Sequence, residues 1–291
     1  MIIGDKREEV IENIRVALRE EDFQSKVEVN DPVLTREESD AIVNRFVENS
    51  GKMSFKIKSF FARRIATTLS SVLNKDTEIV GLENLEGLEG GAIVTCNHFS
   101  PLDNTIVRYL VHNKLHKKRI NIVSQETNFA MPGFLGFLMN YADIIPISGN
   151  KNYMSGDFTK KLQSLVNKGE YVLIYPEQEM WFNFRKPRPT KRGAYYYAAK
   201  FQMPVISCFV EMIDETEVDR DDFMKVRYRI HVLPLIYPNP DLSIRENSLM
   251  MNEKDYEQKK NAYEKAYGKE LEYSFENADI AGWKPSEKES A

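Results

Sequence analysis

The sequence predicts an α/β fold: a mostly parallel central sheet flanked by helices, with a helical N-terminal segment in front of it. Three observations carry that prediction. Short β-rich runs recur at 92–96, 120–124, 143–147, 171–175, 205–210 and 228–236. Helical stretches lie between most of them, at about 101–116, 130–140, 156–168 and 193–202, and strands alternating with helices build parallel sheets. The chain of 291 residues is long enough to bury one large core.

The elements follow in order. "REEVIENIRVALREE" places Val10, Ile11, Ile14 and Leu18 at helical spacing. "TREESDAIVNRFVENSG" opens on a capping-box pattern, Thr35 and Glu38, and stops at Gly51. "FKIKSFFARRIATTLSSVL" carries Ile57, Phe60, Phe61, Ile65, Leu69 and Val72 on one stripe, with Lys56, Lys58, Arg63 and Arg64 beside it. That is the pattern of an interfacial helix, and equally of a helix packed on a core. Gly169 sits where a helix C-cap belongs. A charged helix covers about 253–270 and a polar tail follows. The division read from this pattern is a helical segment at 1–76, an α/β core at 77–240 and a C-terminal helix with tail at 241–291.

Composition narrows the function. Apolar residues make up 42% and charged residues 29%, with a formal charge of −4. No global basic field points to nucleic acid. The cysteines Cys96 and Cys208 both fall in apolar runs and provide neither a disulfide framework nor a zinc spacing, which favours a reducing compartment. The N-terminus has no apolar signal core, and no run reaches the ~20 apolar residues of a membrane span. The expectation is a cytoplasmic protein, with peripheral attachment to the inner face of the cell membrane as the variant that the cationic apolar helix allows.

Two polar clusters follow apolar strands. "TCNHFSPLDN" (95–104) places His98 and Asp103 just past the first. One reading is a helix start, with Ser100 as N-cap, Pro101 at the first helical position and Asp103 as a capping carboxylate. In the other, Asp103 points back, takes the Nδ1 proton of His98 and leaves Nε2 free as a base. The second cluster, "YPEQEM", holds Glu177 past the end of its strand. Between Trp181 and Lys200 follow six Lys or Arg and no acid. Two such clusters at strand ends suggest one shared crevice. Cys96 reads as a buried strand cysteine, His231 as structural, and His112, His116 and "KKR" (117–119) as a basic helix end. The acidic run "EMIDETEVDRDD" reads as a solvated loop.

In order and spacing these blocks resemble the glycerolipid acyltransferases, the family that includes the lysophosphatidate acyltransferases. "NHFSPLD" is similar to the family's Asn-His-x4-Asp block, "IIPISGN" (144–150) falls where its second block falls, "YPEQEM" resembles its Phe-Pro-Glu-Gly block, and "MPVISCFV" (203–210) its later strand. "QET" (125–127) and "TKRGA" (190–194) also sit where expected, and the match covers roughly residues 77–237. Two departures stand out. Met180 occupies the place of the third block's arginine, and the second block reads Ser148-Gly149-Asn150-Lys151 without one.

The resemblance implies transfer of a fatty acyl group from a thioester, acyl-CoA or acyl carrier protein, to the hydroxyl of a lysophospholipid or glycerol-phosphate-type acceptor. His98 would be the general base and Asp103 its orienting group, with no cofactor and no metal. Backbone N–H groups at the Pro101 helix start would receive the oxyanion. Glu177, Lys151, Arg185, Arg188 and Asn97 are the implied acceptor-binding residues, with Lys186 beside them, and Phe129 to Met139 would line an acyl groove. Implied partners are the thioester donor, the acceptor, a membrane surface and acyl carrier protein, the last through the basic helix end. Alternatives are N- or O-acyl transfer to a different polar acceptor, or a non-catalytic lipid-binding protein using the same groove.

Overall fold

The computed structural model describes residues 6–29, 33–116, 119–220 and 222–284. It opens with three helices: α1 (Arg7–Arg19), α2 (Arg36–Ser50) and α3 (Met53–Leu73). The α/β part then runs β1 (Glu78–Val80), β2 (Ala92–Thr95), α4 (Asp103–Tyr109), β3 (Ile120–Gln125), α5 (Gly133–Tyr141), β4 (Ile144–Ile147), α6 (Lys151–Tyr153), α7 (Thr159–Val166), β5 (Tyr171–Leu173), α8 (Gly193–Phe201), β6 (Val205–Arg220) and β7 (Phe223–Val232). The long α9 (Ile244–Tyr267) is the last of the described α-helices.

Among the described residues the strands form one seven-stranded sheet, ordered β1-β7-β6-β2-β5-β3-β4. Strands β2 to β6 run parallel to their neighbours among themselves, while β7 returns antiparallel to β6. The predicted class is borne out. Ala92, Ile93, Val94 and Thr95 of β2 are all buried, as a central strand covered on both faces requires. Because β2, β3, β4 and β5 are parallel, their carboxyl ends share one edge of the sheet. Open α/β sheets collect their ligands at that edge.

Local signals hold well in the helices. Thr35 and Glu38 form the capping box of α2, and Gly169 adopts φ +67° after α7. Two expectations change. The acidic run after Val210 is not a solvated loop: from Glu211 to Arg220 it continues β6 into a long hairpin with β7. Cross-strand ion pairs such as Lys225 with Glu217, at 2.5 Å, suit a hairpin whose sides face water. Nor is the chain after α9 simply a polar tail. Residues 274–283 fold back over the loop that follows Glu177, where Ile280 joins Trp181, Phe184 and the α1 residues Ile11 and Ile14 in a second small core. Residues 285–291 of the expected tail lie outside the described residues.

Helix α3 is inverted relative to an ordinary surface helix. Its buried positions are Ser59, Ala62 and Ser70. Its apolar stripe faces outward, with Phe61 56% and Val72 63% exposed. Among the described residues, nothing packs over most of this stripe. Of the cations beside it, Arg63 is tied to the buried Asp143 carboxylate and Lys58 lies over the Tyr141 ring.

Candidate active site

The loop between β2 and α4 is organised by one carboxylate. Asp103 is the first residue of α4, two residues later than the Pro101 start read from the sequence. Its side chain reaches back across the turn. Oδ2 accepts the Phe99 N–H at 3.0 Å and the Ser100 N–H at 3.2 Å, and stands 2.7 Å from His98 Nδ1. Asp103 is 2% exposed. Since a carboxylate at this site accepts, Nδ1 carries the proton and Nε2 keeps its lone pair. The two readings of "HFSPLD" are thus the same geometry: Asp103 caps the turn and orients His98 at once.

Glu177 meets this loop from the end of β5. Its Oε2 accepts the His98 backbone N–H at 3.2 Å. The same carboxylate takes the Arg188 backbone N–H at 3.1 Å and pairs with the Arg188 guanidinium at 3.1 Å. Backbone bonds from Trp181 N–H to the His98 carbonyl and from Asn183 N–H to the Phe99 carbonyl stitch the two loops together. The two polar clusters read from the sequence are thereby brought together at the carboxyl edge. The polar rim continues along that edge: Glu179 accepts from Gln125 at 2.7 Å, Glu126 from Ser39 at 2.6 Å, and Ser39 lies 3.0 Å from Ser148.

Several expected roles are corrected. Arg185, Lys186 and Arg188 do not form an exposed basic loop. Arg185 donates to the Ala278 and Met212 carbonyls and pairs with Asp214. Lys186 donates to Asp279 and to the Ser274 carbonyl, both at 2.7 Å. Arg188 is 1% exposed; beyond Glu177 it reaches the Phe23 and Glu179 carbonyls and lies over the Trp181 ring. These cations anchor the segment after α1, β6 and the C-terminal segment rather than facing an acceptor. Asn97 is also turned inward. Its amide exchanges bonds of 2.8 and 3.1 Å with the backbone of Val210, extending the ladder from β2 to β6. Lys151 alone of the expected acceptor cations is exposed, at the start of α6 beyond β4. Of the backbone N–H groups near the expected oxyanion site, that of Leu102 goes to Ser100 Oγ and those of Phe99 and Ser100 to Asp103.

Other singled-out residues resolve simply. Burial pushes the Cys96 thiol well above its ordinary range, and that of Cys208 up to about 12, so neither is a thiolate nucleophile. His231 Nε2 pairs with Glu211 at 2.8 Å on the hairpin. His112 and His116 are exposed, and Lys117 and Lys118 of the basic helix end lie outside the described residues. Of the expected acyl-groove segment, Phe129 is buried, whereas Phe134 is 61% exposed on α5.

Sequence reasoning missed Tyr175. Its hydroxyl donates to Asp103 Oδ1 at 2.6 Å, and its ring stacks on His98 with centroids 4.0 Å apart. The only signal was its place two residues before Glu177.

Gln178, next in the turn, adopts φ +70° and is exposed. The resembled block carries glycine there. A left-handed non-glycine residue costs about 1–2 kcal/mol, partly offset by the extra unfolded-state freedom of glycine. Gln178→Gly should therefore raise stability by about 0.5–1 kcal/mol in urea unfolding. A loss would show that the Gln178 side chain is held by contacts worth more than the strain.

Residues 76–211 match the family model described as Acyltransferase. Among solved structures the chain is similar to the 1-acyl-sn-glycerophosphate (LPA) acyltransferase PlsC from Thermotoga maritima, at 16% identity over 80% of this chain and 90% of that one, with a TM-score of 0.47. No curated protein matches the chain. The matched span, residues 76–211, holds the His98–Asp103 loop, Glu177 and the strands that place them, β1 to β5 and the start of β6.

Proposed function

We propose that this protein transfers a fatty acyl group from a thioester donor, acyl-CoA or acyl carrier protein, to the hydroxyl of a lysophospholipid or glycerol-phosphate-type acceptor. The observation that carries the reading is the 2.7 Å contact between His98 Nδ1 and Asp103, made at the carboxyl edge of the sheet with the ring 21% exposed. A hydroxyl is a weak nucleophile at neutral pH. His98 Nε2 takes its proton as the oxygen attacks the thioester carbon, and Asp103 stabilises the imidazolium that forms. The C–S bond then breaks, and His98 returns the proton to the departing thiolate. The test is acceptor-dependent thiol release by the purified protein with long-chain thioesters and lysophosphatidate. Release independent of acceptor identity would point to a simple thioesterase.

A different polar acceptor, on nitrogen or oxygen, is favoured by one specific observation. Arg185 and Arg188, which follow Glu177, are committed inside the protein, and Met180 holds the family's arginine place. An acceptor panel of lysophosphatidate, zwitterionic lysophospholipids and amine headgroups separates the two readings.

The acceptor is a lipid, and the outward apolar faces of α3 and α5 would meet the membrane that supplies it. Phe60 and Phe61 on α3 and Phe134 on α5 are 47%, 56% and 61% exposed, beside the exposed Lys56, Lys58 and Arg64. That is the composition of an interfacial surface. Among the described residues no helix is long and apolar enough to cross a membrane. Flotation with anionic vesicles should recover the wild type and lose a Phe60→Asp, Phe61→Asp variant. Equal flotation of two folded proteins would sink the membrane role.

A further inference from the structure

We infer that Tyr175 is a positioning residue for the His98–Asp103 pair, holding both members and setting how strongly Asp103 attracts the proton on His98. The inference rests on His98 being the base. It starts from a departure that the proposed function does not use. The third block resembles Phe-Pro-Glu-Gly, and this chain has a tyrosine in the place of that phenylalanine. The added hydroxyl is not sent to water: it lies 2.6 Å from Asp103 Oδ1. The ring carrying it stacks on the His98 imidazole, 4.0 Å between centroids and 15° from parallel. One side chain thus touches both partners.

The division of the Asp103 carboxylate makes this contact consequential. Oδ2 takes the His98 ring and two backbone N–H groups, and Oδ1 takes Tyr175. A carboxylate only accepts, so the phenol donates. Burial, and then the Asp103 charge, hold the Tyr175 phenol well above its usual range, which keeps it a donor at any working pH. A donor on Oδ1 draws negative charge away from Oδ2 and weakens the stabilisation of an imidazolium. The stacked ring also opposes rotation of His98 out of line.

The other ionisable neighbours do not compete for this role. Tyr228 of β7 is pushed up to about 12, chiefly by burial, and the Cys96 thiol is raised by burial as well, so both are neutral. Glu177, backed by Arg188, meets the His98 backbone N–H rather than the ring.

The experiment compares wild type with Tyr175→Phe, which keeps the stack and removes only the hydroxyl. Two quantities are read: the pH dependence of kcat/KM for acyl transfer, and the NMR titration of the His98 Cε1 proton, assigned by its loss in His98→Ala. With the hydroxyl gone, the acid limb and the NMR midpoint should both move to higher pH, by about half a unit or more. In an Asp103→Asn background the same substitution should move neither. An unmoved or lowered midpoint in folded Tyr175→Phe overturns the inference, even if His98→Ala is inactive. Should His98→Ala retain turnover, the base assignment fails. The NMR midpoint then still decides whether Tyr175 couples to His98 through Asp103.

Discussion

Replacing His98 by alanine should lower acyl transfer by about 10²–10⁴-fold, the usual contribution of a positioned general base. The fold should survive. The ring is partly exposed, and its polar contact is to Asp103, which keeps its two backbone donors and Tyr175. Steady-state kinetics beside a thermal melt would check both halves. Near-wild-type turnover would refute the assignment of the base. Asp103→Asn should cost activity and stability together, because one oxygen serves the His98 ring and caps the turn. A loss confined to melting temperature would leave Asp103 as a cap alone.

The largest loss of stability is expected from Glu177→Ala. Glu177 is 2% exposed and Arg188 1%. Burial holds Arg188 below its usual range while Glu177 pulls it back up. Removing the carboxylate strands a buried guanidinium, which costs about 3–5 kcal/mol. It also frees the His98 backbone N–H. A Glu177→Ala, Arg188→Met double variant should recover a large part of the loss, since neither charge then remains. Urea unfolding of the three variants reads this directly. A single-variant loss below about 1 kcal/mol would show that the pair is dispensable for folding, and would return Glu177 to the acceptor pocket as its main role.

The fold was legible wherever burial writes periodicity into the chain. The apolar runs of β2, β3, β4 and β5 and the capped start of α2 need only local residues to be read. The hairpin beyond Val210 was not, because cross-strand pairing holds it and its residues face water. The basic stretch from Trp181 to Lys200 misled for a related reason. Six cations without an acid look solvated, yet Arg185, Lys186 and Arg188 find carbonyls and carboxylates contributed by the segment after α1, β6 and the C-terminal segment, far away in sequence. Of the site, the approach of Asp103 to His98 follows from spacing within one turn. The hydroxyl of Tyr175 on Asp103 does not, since it depends on the register between β2 and β5.

The most direct test of the account is mass spectrometry of lipid products from the purified protein, given an isotopically labelled long-chain thioester and a panel of lysophospholipid acceptors. The account predicts a labelled diacyl product, equal in mass to acceptor plus fatty acid less water, formed by wild type and absent with His98→Ala. A thioester that stays intact with every acceptor, while the lipid binds, would contradict it and leave a lipid-binding protein built on an acyltransferase domain.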